Sequence, residues 1–144
     1  MGTTTMGKVI VTAKIENVGD LYLVHQGKLS PDQVRHVEVT DAMADTGATT
    51  LLMPKRLIAQ LGLIPLRTRT ARTAGGLTTL KLYGGAHIVV QDRECTCDVI
   101  ELPDECPVLI GQVPLEMLDF VVDPQGQRLI GNPEHGGEQM VEVY

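Results

Sequence analysis

Hydrophobic and polar residues alternate along most of this chain, which is typical of β-strands with one buried face. The clearest alternation covers residues 8–17, residues 21–27 could continue its pairing, and a second strand covers residues 34–44. One segment has helical spacing instead: residues 54–61 begin with a proline suited to a first helical turn and stop before Gly62. The pattern predicts a mostly β chain with one or two short helices.

The middle of the chain is predicted to form long hairpins. Residues 66–85 form one whose tip is Thr-Ala-Gly-Gly, because paired glycines permit the positive φ of a tight turn. Residues 86–102 supply two further strands around a turn at Asp92 and Arg93.

The last third of the chain has shorter elements. Residues 107–118 are predicted to form an apolar strand broken by Gly111 and then a short helix. Residues 119–130 form a hairpin in which Pro124 presets the turn, and residues 140–144 are a last candidate strand.

Length and composition narrow the classes of protein. The chain has 144 residues, 43% of them apolar and only 3% aromatic, so we expect one domain with an aliphatic core. Its net charge of −6 argues against general nucleic-acid binding. No apolar run approaches the roughly 18 residues of a membrane helix, and no signal-peptide pattern is visible. We therefore expect a cytoplasmic protein that does not bind membranes.

Most catalytic chemistries have no support in the sequence. Cys95, Cys97 and Cys106 are expected to be reduced thiols, and a zinc site combining them with His87 has only a weak C-x-C signal. The sole serine, Ser30, lacks a G-x-S-x-G context, and no glycine-rich phosphate loop occurs. We expect neither a metal nor a cofactor. What remains is a carboxylate.

That carboxylate is Asp45, which ends the second predicted strand in the sequence Asp-Thr-Gly-Ala-Thr-Thr. Gly111 lies 66 residues later and closes the sequence Val-Leu-Ile-Gly, and the glycine-tipped hairpin lies between the two motifs. The motifs, their order and their spacing resemble the single-domain retropepsin-like (retroviral-type) aspartic protease family found widely in microbes. The resemblance covers about residues 8–133.

The resemblance implies a closed, barrel-like β fold with a flap hairpin. It implies one retropepsin-like domain over residues 1–144, with residues 134–144 forming a tail or a strand at a dimer interface. Acid proteolysis needs two carboxylates close enough to share a proton, and this chain has one Asp-Thr-Gly. The second carboxylate must come from another copy of the chain, so we expect a two-fold homodimer acting on an extended polypeptide.

The resemblance also assigns roles residue by residue. Asp45 would be the catalytic acid and base, and the flap tip would close over the peptide. The other residues expected in the active-site loop are Thr46, Gly47 and Ala48. Those expected at the flap tip are Ala74, Gly75 and Gly76. Those expected to support the loop and line the pocket are Leu109, Ile110 and Gly111.

Two features leave questions open. Retroviral members often carry an ion pair at the positions of Thr49 and Gln112, which are both neutral here. Arg67, Arg69 and Arg72 are expected to lie on a solvated hairpin. Because Arg67 and Arg69 share a strand face, a preference for acidic substrate side chains is the alternative hypothesis. Two alternative hypotheses use the same fold: a catalytically silent dimeric module that binds peptides, and a pure dimerisation domain.

Overall fold

The computed structural model describes residues 9–123 and 125–140 and is mostly β-structure. Its strands, in chain order, are β1 (Val9–Asn17), β2 (His36–Ala44), β3 (Leu51–Pro54), β4 (Pro65–Thr73), β5 (Gly76–Val90), β6 (Arg93–Leu102), β7 (Leu109–Ile110), β8 (Phe120–Asp123) and β9 (Arg128–Gly131). Its α-helices are α1 (Val18–His25), α2 (Lys55–Leu61) and α3 (Gln112–Met117). Two 3-10 turns lie at Pro31–Gln33 and Pro133–His135.

Seven strands form one sheet in the order β1-β2-β7-β3-β6-β5-β4. An additional pairing of β1 with β5 closes six of these strands into a ring, with β4 outside it. The short strand β7 lies between β2 and β3, parallel to β2 and antiparallel to β3. The closed, barrel-like β fold with a hairpin and short helices is therefore confirmed.

The core is aliphatic, as the composition predicts. Residues in β1 alternate between buried and more exposed, so Val9, Val11, Ala13 and Ile15 point into the ring. Among the described residues, Phe120 is an aromatic side chain buried in the core, and the partly buried Tyr83 packs against that core. No helix in the described parts of the chain is long and apolar enough to span a membrane.

Residues 21–27 do not continue the first strand; this prediction is wrong, because helix α1 begins directly after β1. The side chain of Asn17 caps that helix by accepting a hydrogen bond from the backbone N–H of Asp20 at 3.0 Å. The Asp20 carboxylate in turn accepts bonds from Nε and Nη2 of Arg35, both at 2.9 Å. A cap and a bidentate ion pair thus override a weak alternation of apolar residues.

Helix α2 ends as predicted, because Gly62 adopts the left-handed conformation with φ of 64°. Its start differs from the prediction. Pro54 is the last residue of β3 and precedes the first helical turn, so it ends a strand, where its missing N–H costs little.

The predicted glycine-tipped hairpin is confirmed as β4 and β5, joined at Ala74 and Gly75. Its role as a flap belongs to the proposed function below. The strand predicted after residue 85 is a continuation of β5 rather than a separate element, and the next turn lies at Gln91 and Asp92, one residue earlier than predicted.

The predicted strand and short helix of residues 107–118 are confirmed as β7 and α3. The predicted hairpin that follows is confirmed as β8 and β9. Parts of three predictions, at Lys8, Pro124 and residues 141–144, lie outside the described residues. Met140, the first residue of the last candidate strand, is described and is not in a strand.

Candidate active site

Asp45 lies where β2 ends, on a loop that the backbone holds in place. Its backbone N–H donates to the carbonyl of Ile110 at 2.9 Å, which extends the pairing of β2 with β7. One carboxylate oxygen, Oδ1, accepts the backbone N–H of Gly47 at 2.9 Å. The N–H of Ala48 donates to the Asp45 carbonyl at 3.1 Å, closing a tight turn. The half-buried carboxylate therefore has a defined orientation.

The second motif supports this loop through its backbone. The N–H groups of Gly111, Gln112 and Val113 donate to the carbonyls of Thr50, Ala48 and Thr49 at 2.9, 2.8 and 2.8 Å, in that order. These N–H groups belong to the start of α3, which leaves such donors without partners inside the helix. The loop thus caps the helix, and the helix fixes the loop.

Thr49 and Gln112, which are both neutral, take part in this network through their backbones and form no ion pair. The Thr49 carbonyl accepts from Val113, and the Gln112 N–H donates to Ala48. The Gln112 side chain turns away along its own helix, where Nε2 donates to Oε1 of Glu116 at 2.9 Å. The Thr49 side chain is exposed, so the loss of the family's ion pair leaves no buried charge without a partner.

Thr46 and Gly47, at the tip of the loop, are both exposed. Further along, Thr50 anchors the loop to β6, because its Oγ1 donates to the carbonyl of Asp98 at 2.8 Å. The loop is thus held at both ends while its tip faces outward.

The tip of the flap is exposed around Ala74 and Gly75. Thr73 Oγ1 donates to the carbonyl of Gly76 at 2.9 Å across the turn, and Gly76 has a φ of 113°, which favours glycine. Within residues 9–123 and 125–140, no hydrogen bond joins the flap tip to the Asp45 loop. The structure thus brings Asp45–Ala48 and Leu109–Gly111 together through backbone hydrogen bonds, and no such bond in the described residues links Ala74–Gly76 to them.

The strand register reveals a row of residues near the site that the motifs do not mark. Residues directly opposite each other in neighbouring strands share a face of the sheet. Five strands that are neighbours in the sheet, in the order β2, β7, β3, β6 and β5, each contribute one half-buried side chain to a row. Leu109 is the member from β7. The members of the row are Met43, Leu109, Leu52, Ile100 and Leu82. The neighbouring row, Ala44, Ile110, Leu51 and Val99, is buried in the core.

The cysteines are free thiols and, among the described residues, no three His, Cys, Asp or Glu side chains group as a metal site would require. Cys95 and Cys97 point to the same side of β6, as predicted. Their thiol–thiol hydrogen bond lowers the pKa of Cys95, while the same bond together with burial raises the pKa of Cys97. A raised thiol pKa disfavours a nucleophilic role for Cys97.

Two other aspartates are buried, and both have structural partners. The hydrogen bonds from Arg35 hold the pKa of Asp20 below its usual value, and a hydrogen bond from His135 does the same for Asp119. Asp41, four residues before Asp45, is exposed as expected. None of the three is placed on the active-site loop beside Asp45.

A closed β ring, a glycine-tipped hairpin and a constrained Asp-Thr-Gly loop define an aspartic protease fold of the retroviral type. The profile of the family described as "gag-polyprotein putative aspartyl protease" matches residues 33–117, more than half of the chain. The chain therefore belongs to the retropepsin-like aspartic protease family.

Among solved structures, the chain is similar to the solution structure of the simian foamy virus (mac) protease. The two share 19% sequence identity with a TM-score of 0.48, and the match covers 76% of this chain and 93% of that chain. No curated protein matches the chain.

Proposed function

We propose that the protein is an aspartic endopeptidase that acts as a homodimer and uses Asp45 from each subunit. The observation that carries this proposal is the half-buried Asp45 carboxylate, held by the Gly47 N–H directly after β2 ends. The family to which the chain belongs is one of aspartic proteases, which supports a catalytic role for this carboxylate.

In the proposed mechanism, two Asp45 carboxylates lie across a two-fold axis and share one proton, because two like charges in contact cannot both ionise. The ionised carboxylate takes a proton from a water molecule as that water attacks the scissile carbonyl. The protonated carboxyl group donates its proton to the carbonyl oxygen, which gives a tetrahedral diol. The C–N bond then breaks as the proton taken from water passes to the leaving nitrogen and a diol hydroxyl returns its proton to the other carboxylate, which restores the singly protonated pair. Since the pair must hold one proton, activity is favoured at acidic pH.

Exposed apolar surface beside the loop supports a dimer. On α3, Val113 and Met117 are 43% and 45% exposed and lie four residues apart, so they share one helix face. The Val113 N–H bonds the Thr49 carbonyl, which places this face next to the Asp45 loop. A two-fold contact here would cover the apolar surface and bring the exposed Thr46 hydroxyl within reach of the partner loop.

The substrate in this proposal lies extended between the loop and the flap. The flap tip, Ala74–Gly76, would pair with the peptide backbone and exclude water during the reaction. The half-buried Leu52 and Leu109 would line pockets for apolar side chains on either side of the scissile bond. Gly47 would keep the approach to Asp45 open.

We also propose that the protein works in a reducing compartment such as the cytoplasm. The three free thiols, Cys95, Cys97 and Cys106, support this location. Cleavage of the same peptides with and without a thiol reductant would test it; activity that requires oxidising conditions would contradict it.

A subunit-mixing experiment tests the shared dyad. Wild-type protein is unfolded and refolded with an equal amount of Asp45→Asn protein, so that random pairing places half of the wild-type chains in mixed dimers. Activity per wild-type chain should fall to about half, because a mixed dimer holds one carboxylate that can ionise. Unchanged activity per wild-type chain would show that each subunit acts alone. Refolding wild type without the variant is the control.

A further inference from the structure

The row of aliphatic side chains described above ends at a cation. Arg67 in β4 lies directly opposite Leu82 in β5, so the five-residue row continues onto the flap hairpin as Arg67. Arg69 comes next along the same face, opposite the half-buried Leu80. The same face of the sheet therefore carries apolar side chains near the Asp45 loop and two guanidinium groups at its far end.

The opposite face of the hairpin carries the same amount of charge. Thr68 lies opposite Lys81, and Arg72 lies opposite Leu77, which is 69% exposed. This face is solvated along its length, whereas Leu80 and Leu82 on the first face are half-buried. The two faces of one hairpin thus provide a functional pair and a matched control pair of cations.

The hairpin is a local positive region on an acidic chain. Its strands between residues 65 and 83 contain four cations, Arg67, Arg69, Arg72 and Lys81, and no Asp or Glu, whereas the whole chain has a net charge of −6. Within the described residues, none of these four side chains forms a salt bridge or a side-chain hydrogen bond. All four are exposed and available to a ligand.

A carboxylate near the Asp45 loop lies on the same face of the sheet as the aliphatic row. Asp98 lies two residues before Ile100 on β6, and its carbonyl holds Thr50 of the active-site loop. It lies on the loop side of the row, whereas Arg69 lies on the flap-tip side. A peptide crossing this face would therefore meet a negative group near the loop and positive groups at the hairpin.

We propose that Arg67 and Arg69 select substrates that carry an acidic side chain at a distance from the scissile bond. This inference rests on the proposed peptidase function and adds a substrate class to it: peptides with apolar residues at the cut site and a glutamate or aspartate further along. Guanidinium groups suit this selection because they bind carboxylates through two parallel hydrogen bonds.

The strand spacing estimates where the acidic residue lies. Four strand spacings of about 4.8 Å separate Leu109 from Arg67, and an extended peptide advances about 3.3 Å per residue. Arginine side chains reach back over part of that span. The acidic residue is therefore expected roughly three to five residues from the scissile bond.

The experiment compares kcat/KM for peptide pairs that share a cleaved apolar core and differ by Glu or Gln at one distal position. Wild type is compared with an Arg67→Gln/Arg69→Gln variant and with the matched control Arg72→Gln/Lys81→Gln. The first variant should lose about 5- to 20-fold on the Glu peptide and less than about twofold on the Gln peptide. The control should keep the preference for Glu within about twofold. Equal losses on both peptides, or an equal loss of preference in the control, would overturn the proposal.

A binding measurement separates this proposal from the peptidase function. Anisotropy of labelled Glu and Gln peptides is measured with Asp45→Asn protein, with and without the two arginine substitutions, at low and high salt. If the protein binds the Glu peptide more tightly and this preference is lost when Arg67 and Arg69 are replaced, the selection is supported. This holds even if wild type cleaves no peptide, and then only the peptidase proposal fails. Equal binding of both peptides overturns the selection. Binding of a single-stranded oligonucleotide also overturns the selection if it is tighter than binding of the Glu peptide and depends on the two arginines, since the ligand would then be nucleic acid.

Discussion

The backbone of Gly111 lies against the backbone of Thr50. Its N–H donates to the Thr50 carbonyl at 2.9 Å, and a Cβ atom added at position 111 would lie 2.4 Å from the same oxygen. The φ of Gly111 is −83°, which any residue can adopt, so this position requires glycine for space rather than for its conformation. The contact fixes the distance between the two motifs of the site.

We therefore expect Gly111→Ala to be destabilising by about 1–3 kcal/mol and to displace the Asp45 loop, because backbone atoms must move to make room. Urea denaturation measures the first effect and peptide cleavage the second. Gly75→Ala in the flap turn is the control, since its Cβ would meet only Thr73 Oγ1 at 3.8 Å. A Gly111→Ala protein as stable as that control would contradict the account of the loop.

The ion pair between Asp20 and Arg35 joins α1 to the start of β2. Asp20→Asn removes a buried carboxylate that accepts two side-chain bonds and the Arg35 N–H, and we expect a loss of about 1–3 kcal/mol in the free energy of unfolding. Thermal and urea unfolding measure this loss. Lys14→Gln is the control, because it breaks the more exposed pair with Glu16 and should change stability by less than about 1 kcal/mol. Equal effects would show that the α1 contact is not structural.

Asp119 should make the fold sensitive to acid. Its Oδ2 lies 2.6 Å from Nδ1 of His135 and accepts the Met140 N–H at 3.0 Å, and the first of these contacts is the main reason for its lowered pKa. A lowered pKa in the folded state means that the ionised carboxylate stabilises the fold. This contribution is complete above the ordinary aspartate pKa of about 3.9 and is lost as the pH falls through and below that value.

Urea midpoints of wild type and Asp119→Asn, measured from pH 7 to pH 3, test this sign. The difference between the two proteins should be largest near pH 7 and should shrink below about pH 4, because the carboxylate takes up its proton first in the unfolded chain and only at lower pH in the folded protein. A difference that stays constant over the whole range would contradict the assignment. The peptidase assay must therefore stop above the pH at which the fold is lost.

The three thiols should differ in reactivity. Cys106 is half-exposed on a turn, Cys95 is buried, and the pKa of Cys97 is raised by its hydrogen bond with Cys95 and by burial. Iodoacetamide at pH 8 should label Cys106 first. Cys97, which is also half-buried, should react more slowly because of its raised pKa, and the buried Cys95 should react only in denaturant. Peptide mass spectrometry locates the label. In a Cys106→Ala control, rapid labelling of the native protein should disappear; labelling of Cys95 or Cys97 at the same rate would contradict this arrangement.

The sequence was informative where local chemistry decides the structure. The glycine turn at Ala74 and Gly75, the end of α2 at Gly62 and the β8–β9 hairpin all depend on neighbouring residues, and the sequence predicts all three. Helix α1 was missed because its stability depends on Arg35, which comes ten residues after the helix ends. The cap at Asn17 was the local signal that could have indicated it.

The candidate site shows the same division. Asp45 and the Leu109–Gly111 motif were visible as short sequence motifs, whereas the aliphatic row at Met43, Leu52 and Ile100 was not. Membership in that row depends on which residues of distant strands lie opposite each other, and the register is set by the closed sheet. Alternation alone placed Arg67 and Arg69 on one face but gave no information about what else lies there.

The most direct test of the central claim compares wild type with Asp45→Asn on a diverse peptide mixture between pH 3.5 and 7.5. Mass spectrometry identifies the cut sites, and sedimentation determines whether each protein is a dimer. The account predicts that both proteins are dimers and that only wild type cleaves, at sites flanked by apolar residues. Two equally dimeric, folded proteins that both leave every peptide intact would contradict the account and favour a module that binds peptides without cutting them.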